Sequence, residues 1–241
     1  MLAASAALVL ILWGMARVLA WAPEPIGPNA QDFADGTWVT VQLTLVSGVA
    51  GLVLGLLAAL GRLSSVPPLR WLAWLYIWVM RGTPLLVQVL FVYFALPALV
   101  PAFKVSDFAS ACIALAFNVG AYNAEAIRAG LLAVPKGQIE ASKSLGLSGW
   151  GNFVDIVFPQ AMKIALPSLV NNIVSLLKDS SLAYAVGVVE LTNVGSRLQA
   201  VTFEPLPTLI TTALVYLVLT TVLTQLADAV ERRFDVEGRR P

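Results

Sequence analysis

Histidine is absent from this 241-residue chain, and cysteine occurs once, at Cys112. The first absence removes histidine-ligated metals, bis-histidine haem and imidazole acid–base chemistry. The second removes a disulfide framework and paired-thiol chemistry. Charge is also scarce: Asp, Glu, Lys and Arg make up 12% of the residues, against about a quarter in soluble domains. A net charge of +1 provides no field to draw nucleic acid. No Gly-x4-Gly-Lys-Ser/Thr phosphate loop occurs, so the chain lacks that device for holding ATP. Carboxylates do not cluster within the apolar runs, which leaves a membrane enzyme few catalytic candidates, and no metal site is expected.

What the chain has is apolar length. Hydrophobic residues make up 59%, and several runs approach the ~20 residues a helix needs to cross the hydrocarbon. The short alternating segments of a membrane barrel do not occur. The expected class is therefore all-α transmembrane, with runs at 2–21, Trp38–Leu60, about Pro84–Val100, Asp107–Arg128, Pro159–Lys178 and Leu206–Val230. Residues 2–21 read as a retained span. A signal peptide would carry positive charge before its apolar core, and Pro23 falls just after the small-x-small triplet Ala20-Trp21-Ala22. The 84–100 run is either a short span or the second half of a kinked helix that starts near Trp71. Thr83 suits a helix cap there and Pro84 a first helical position.

Ser47, Gly48, Gly51 and Gly55 recur at spacings that let helices approach closely, read here as packing within the chain. Trp71, Trp74 and Trp78 share one helical face and suit the membrane interface. Glu125 and Arg128, three apart, read as an ion pair, and Asn171 and Asn172 as interhelical hydrogen bonders or pathway residues. Residues 179–205 read as a partly buried loop.

Orientation follows from lysine and arginine placement. With residues 135–159 in the cytoplasm, alternate threading puts Arg62, Arg70, Arg81, Arg128, Lys136, Lys143, Lys163, Arg232, Arg233, Arg239 and Arg240 inside. Arg17, Lys104, Lys178 and Arg197 fall outside. This bias gives six spans with both termini cytoplasmic.

The polar stretch Pro135–Pro159 lies between two of these runs and is too polar to cross. Pro135 can open a helix and Gly146 can close one in the left-handed conformation. Ser148 can cap a second short amphipathic piece. The expectation is a short helix of about Lys136–Leu145 lying across the cytoplasmic ends of the spans.

Within it, Glu140-Ala141-Ser142, three residues, Gly146, nine residues, Ile156, one residue and Phe158-Pro159 resemble the Glu-Ala-Ala motif of ABC importer permeases. The spacing is intact; Ser142 stands for alanine and Phe158 for leucine. Arg81-Gly82-Thr83-Pro84-Leu85-Leu86-Val87-Gln88, Asn118–Glu125 and Ser175–Leu182 resemble signatures of the permeases for polar amino acids, of the histidine, glutamine and arginine type. Val119 departs from the small polar residue common in that family.

The resemblance implies a five-helix permease core over 38–233, an added N-terminal helix and outer loop over 1–37, and a cytoplasmic tail over 234–241. It implies a bacterial inner-membrane subunit paired with an identical or similar chain. Two cytoplasmic ATPase subunits would bind the ATP and magnesium, and an extracytoplasmic binding protein would deliver an amino acid. Coupling to the ATPase would rest on Lys136, Gly137, Gln138, Glu140, Ala141, Ser142, Gly146, Ile156 and Pro159. Leu86, Gln88, Asn118, Val119, Tyr122, Lys178 and Asp179 would line the substrate site. Lys178 and Asp179, ~100° apart on a helix, offer opposite charges for an α-carboxylate and an α-amine. Their competing reading is the end of a helix at the outer interface. The competing function is an ion-driven secondary transporter, which also needs polar residues at depth but requires no cytoplasmic coupling segment.

Overall fold

The computed structural model describes residues 14–234, with side chains through residue 232. Among the described residues there is no strand. The expected first span lies mostly outside this range, although 14–19 are helical. Nearly all of the expected tail lies outside it.

The principal helices are α1 (Ala30–Leu63), α2 (Pro67–Gly82), α3 (Leu85–Leu90), α4 (Asp107–Ala133), α5 (Lys136–Ser144), α6 (Phe158–Asp179), α7 (Leu191–Thr202) and α8 (Pro205–Phe234). Among the described residues three helical stretches are long and apolar enough to cross a membrane: Gly27–Leu63, Gly149–Val186 and Pro205–Arg232. A bent pair, Pro67–Gly82 with Leu85–Leu99, makes a fourth if it is one broken span. Helix α4 is 27 residues long, but Asn118, Tyr122, Asn123 and Glu125 make it more polar than those three.

Three local expectations are corrected. Thr83 does not start α3; it ends α2 in an extended conformation, and its hydroxyl donates back to the Val79 carbonyl at 2.8 Å. Pro84 cannot donate an amide hydrogen and disfavours helix in the residue before it, so the axis turns by 111° there. The second piece after Ser148 is not separate from the next span. Gly149–Gly151 runs through a π-helical stretch, Asn152–Val157, into α6. Pro159 offers no amide hydrogen to the preceding turn, and the wider π turn carries the helix past it. The loop expected over 179–205 is mostly helical, with a 3-10 segment Ser180–Val186 followed by α7.

The chain divides into two compact units. The first comprises Met1–Val46, Leu85–Leu115 and Leu176–Val222. Here Thr37, Thr40 and Thr44 are buried along α1. Their hydroxyls donate one turn back, to Phe33 (2.7 Å), Gly36 (3.0 Å) and Thr40 (2.8 Å). A hydroxyl in apolar surroundings has few other acceptors. Helix α3 packs against the 3-10 segment, which also packs against α7.

The second unit comprises Ser47–Pro84, Ala116–Ser175 and Leu223–Pro241. The small-residue stripe on α1 faces α4, as the packing reading requires. A Cβ on Gly55 would lie 2.6 Å from Asn123 Cβ and 3.0 Å from the Gly120 carbonyl, and one on Gly51 would strike Val119. Asn172 Nδ2 donates to Asn123 Oδ1 at 2.9 Å, joining α6 to α4. Ala59, Ile127, Leu131, Val134, Ala161, Ala165 and Leu169 form a core, with Ile139, Phe153 and Val157 packed against it.

Candidate functional site

Helix α5 is fixed at both ends by local chemistry. Pro135 is extended (φ −61°, ψ 130°) and its carbonyl accepts from Gln138 N at 3.1 Å. At the other end Gly146 adopts φ +82°. Gly146 N donates to the Lys143 carbonyl at 3.0 Å and Leu147 N to the Ser142 carbonyl at 3.2 Å. This is the paired bonding of a left-handed helix ending that satisfies the last carbonyls. Ser148 Oγ accepts from Gly151 N at 3.0 Å and starts the next piece.

One face of α5 is anchored and the other is open. Ile139 reaches the core of the second unit. Ser142 is buried, with its hydroxyl 2.8 Å from Asn152 Oδ1 and 2.9 Å from the Ile139 carbonyl. Asn152 is itself buried, so this departure from the family pattern ties α5 to the start of the α6 stretch. Lys136, Gly137, Gln138, Glu140, Ala141 and Gly146 are exposed, as is Pro159; Ile156 is half-buried.

The candidate substrate residues are distributed differently. In the first unit, Leu86 is exposed and Gln88 buried on α3, the helix packed against the segment that follows Lys178 and Asp179. Lys178 is exposed and Asp179 half-buried at the end of α6. In the second unit, Asn118 Nδ2 donates to the Met80 carbonyl at 3.2 Å. Val119 is buried against Gly51. Tyr122 is 42% exposed with Arg81 5.2 Å above its ring. Asn118 and Val119 thus contact neighbouring helices, and Tyr122 is exposed beside Arg81. The first unit's cleft of about 540 Å³, lined by Asp32, Asp35, Arg197 and apolar neighbours, contains none of these candidates. Glu125 and Arg128 form the expected ion pair at 2.6 Å.

The residue that sequence reasoning passed over is Glu190. It is fully buried and caps α7, its carboxylate accepting from Thr192 N at 2.9 Å and Asn193 N at 2.8 Å. Tyr216 Oη donates to it at 2.8 Å. Leu191 N beside it donates to Thr40 Oγ1 at 3.2 Å. Burial pushes the carboxyl above its ordinary value and outweighs those hydrogen bonds. Glutamate is an uncommon cap, so the only local signal was Gly187, which takes φ +90° and ends the 3-10 segment. Among the described residues no group of three or more His, Cys, Asp or Glu is placed to hold a metal.

Comparison with known proteins bears on this geometry. Residues 51–236 match the family described as binding-protein-dependent transport system inner membrane component. The L-cystine transport system permease protein TcyB of Bacillus subtilis is 39% identical over 203 residues, covering 83% of this chain and 85% of that one. The arginine transport system permease protein ArtQ of the same organism is 37% identical over 206 residues, covering 86% and 94%. A crystal structure of an amino acid ABC transporter with histidines superposes with a TM-score of 0.80 at 37% identity, over 86% of this chain and 95% of that one. The match to the family over most of the chain, with relatives of nearly equal length, shows that this protein belongs to the amino acid ABC transporter permeases, the inner-membrane components of binding-protein-dependent transport systems.

Proposed function

We propose that the chain is one of two membrane subunits of an ATP-driven amino acid importer, and that α5 receives the force of ATP. The supporting observation is the form of α5: an exposed polar face, a buried anchor through Ile139 and Ser142, and fixed ends at Pro135 and Gly146. Two cytoplasmic ATPase subunits bind ATP and magnesium, and each grips one such helix through Lys136, Gly137, Gln138, Glu140 and Ala141. Gly146, Ile156 and Pro159 shape the segment behind that face. Closure of the ATPase pair moves the coupling helices as rigid bodies and switches access from outside to inside. By reciprocity, the loaded extracytoplasmic binding protein favours ATPase closure. The second permease subunit is identical or homologous, and both termini lie in the cytoplasm.

For the substrate we favour Lys178 and Asp179, with Leu86 and Gln88 on the adjoining α3. Lysine takes the α-carboxylate and aspartate the α-amine. A charge-assisted hydrogen bond contributes about 1.5–3 kcal/mol, so losing one costs roughly 10–100-fold in affinity. Asp179→Ala and Lys178→Ala are each expected to lower uptake of labelled amino acid into proteoliposomes by that factor, with assembly and basal ATPase activity intact. Unchanged uptake in both variants would remove the pair from the site.

A further inference from the structure

A cleft of about 450 Å³ opens in the second unit where α1 turns into α2, lined by Arg62, Pro67, Arg70, Trp71 and Trp74. Its charge is of one sign. Arg62 stands in the last turn of α1. Arg70 follows Pro67 and Pro68 at the start of α2, a turn with no acidic residue. Cations are disfavoured at that end of a helix, so Arg70 gains from an added anion. Among the described residues neither arginine forms an ion pair within 4 Å. Glu125 feels the charge of Arg62, but its carboxylate is held by Arg128. The walls are indoles: Trp71 and Trp74 are 57% and 41% exposed, and Trp74 stacks on Trp78 at 5.7 Å.

We infer that this cleft binds the phosphodiester headgroup of an anionic membrane phospholipid. Two guanidinium forks suit a phosphate, which accepts paired N–H donors. No carboxylate lines the cleft to balance the two arginines, so the net charge of the site favours an anionic headgroup over a zwitterionic one. Indole rings sit at headgroup depth, where one edge meets water and the face meets the first methylenes of the acyl chains. Basic pockets between membrane helices on the positively charged side are suited to such lipids. The inference rests on the chain spanning a membrane with Arg62 and Arg70 on its lysine- and arginine-rich side, and is independent of the coupling and substrate assignments.

The test uses the assembled transporter in mild detergent. Phosphatidylglycerol is expected to raise the thermal unfolding midpoint saturably, by about 2–4 °C. Phosphatidylcholine at the same concentration should not. In an Arg62→Gln/Arg70→Gln variant the apparent affinity should fall at least about ten-fold, as lost charge-assisted hydrogen bonds predict. An equal response to phosphatidylcholine, or an undiminished response in the double variant, would overturn the assignment. An equal shift from inorganic phosphate would overturn the lipid source and leave a free-phosphate site. Native mass spectrometry gives a second reading should the double variant fail to assemble. Arg70 is exposed, and Arg70→Glu should retain one phosphatidylglycerol fewer per permease chain than the unaltered protein; equal retention would sink the proposal.

Discussion

Replacing Gly146 by valine is expected to abolish ATP-driven uptake while the transporter still assembles. The cause is the backbone. Gly146 holds φ +82°, and nothing lies within 4 Å of a Cβ placed there, so the substitution meets no clash. A β-branched residue in the left-handed region costs about 1–2 kcal/mol or more. Helix α5 has nine residues, well below the ~12–15 at which an isolated helix is even marginal. It therefore gives up its last turn rather than carry the strain. The Leu147–Ser142 and Gly146–Lys143 bonds open, Ser142 leaves Asn152, and the segment loses the stiffness that transmits force. Asparagine tolerates left-handed backbone, so Gly146→Asn should retain more uptake than Gly146→Val. Stimulation of ATPase activity by the loaded binding protein should fall in the same order. Normal uptake in the valine variant would separate this segment from coupling.

Glu190→Ala carries the largest expected loss of stability. It leaves Thr192 N and Asn193 N without their acceptor, while the Tyr216 hydroxyl keeps Thr192 Oγ1 at 3.1 Å. Buried donors without partners cost about 1–3 kcal/mol each, so a loss of at least ~2 kcal/mol is expected, read as a fall in the thermal midpoint. Glu190→Gln keeps an acceptor oxygen and should lose much less. The pH dependence has a definite sign. Because the folded carboxyl titrates above its unfolded value, the folded state holds its proton more tightly. Stability from this group is full below the unfolded pKa and falls as pH rises through the folded one. That slope should vanish in Glu190→Gln.

These two residues also show what was legible in the sequence. The α5 segment could be read because its determinants are local. Proline, glycine and a run of polar residues within a dozen positions decide its start, its end and its inability to enter lipid. The small residues on α1 were likewise legible, since Gly51 and Gly55 encode close approach by spacing alone. Residues 179–205 were not. Helix α7 depends on a glutamate cap, on Tyr216 twenty-six positions away and on Thr40 151 positions away from Leu191, and no window of sequence contains that network. Pro159 misled in the opposite way. Proline usually stops a helix, but a π turn before it carried the chain through.

The candidate site divides along the same line. The motif around Glu140 and Gly146 marked the segment proposed for coupling, and the structure gave Ser142 a reason of its own, its contact with Asn152. Spacing could not separate residues that line a pathway from residues that hold helices together. Asn118 donates to the Met80 carbonyl and Val119 packs against Gly51, and both partners lie on other helices outside any local window.

The central claim is that α5 meets an ATPase subunit, and site-directed disulfide cross-linking tests it directly. Gln138 is exposed on α5, and Cys112 is the sole native thiol. With Cys112→Ala as background, Gln138→Cys should cross-link in high yield to a cysteine in the surface groove of the ATPase subunit, with a yield that changes on adding ATP. Leu206→Cys, exposed at the start of α8 on the side assigned to the exterior, should give none. Absence of the Gln138 cross-link in an assembled, ATP-hydrolysing transporter, or equal yields from both positions, would contradict the account.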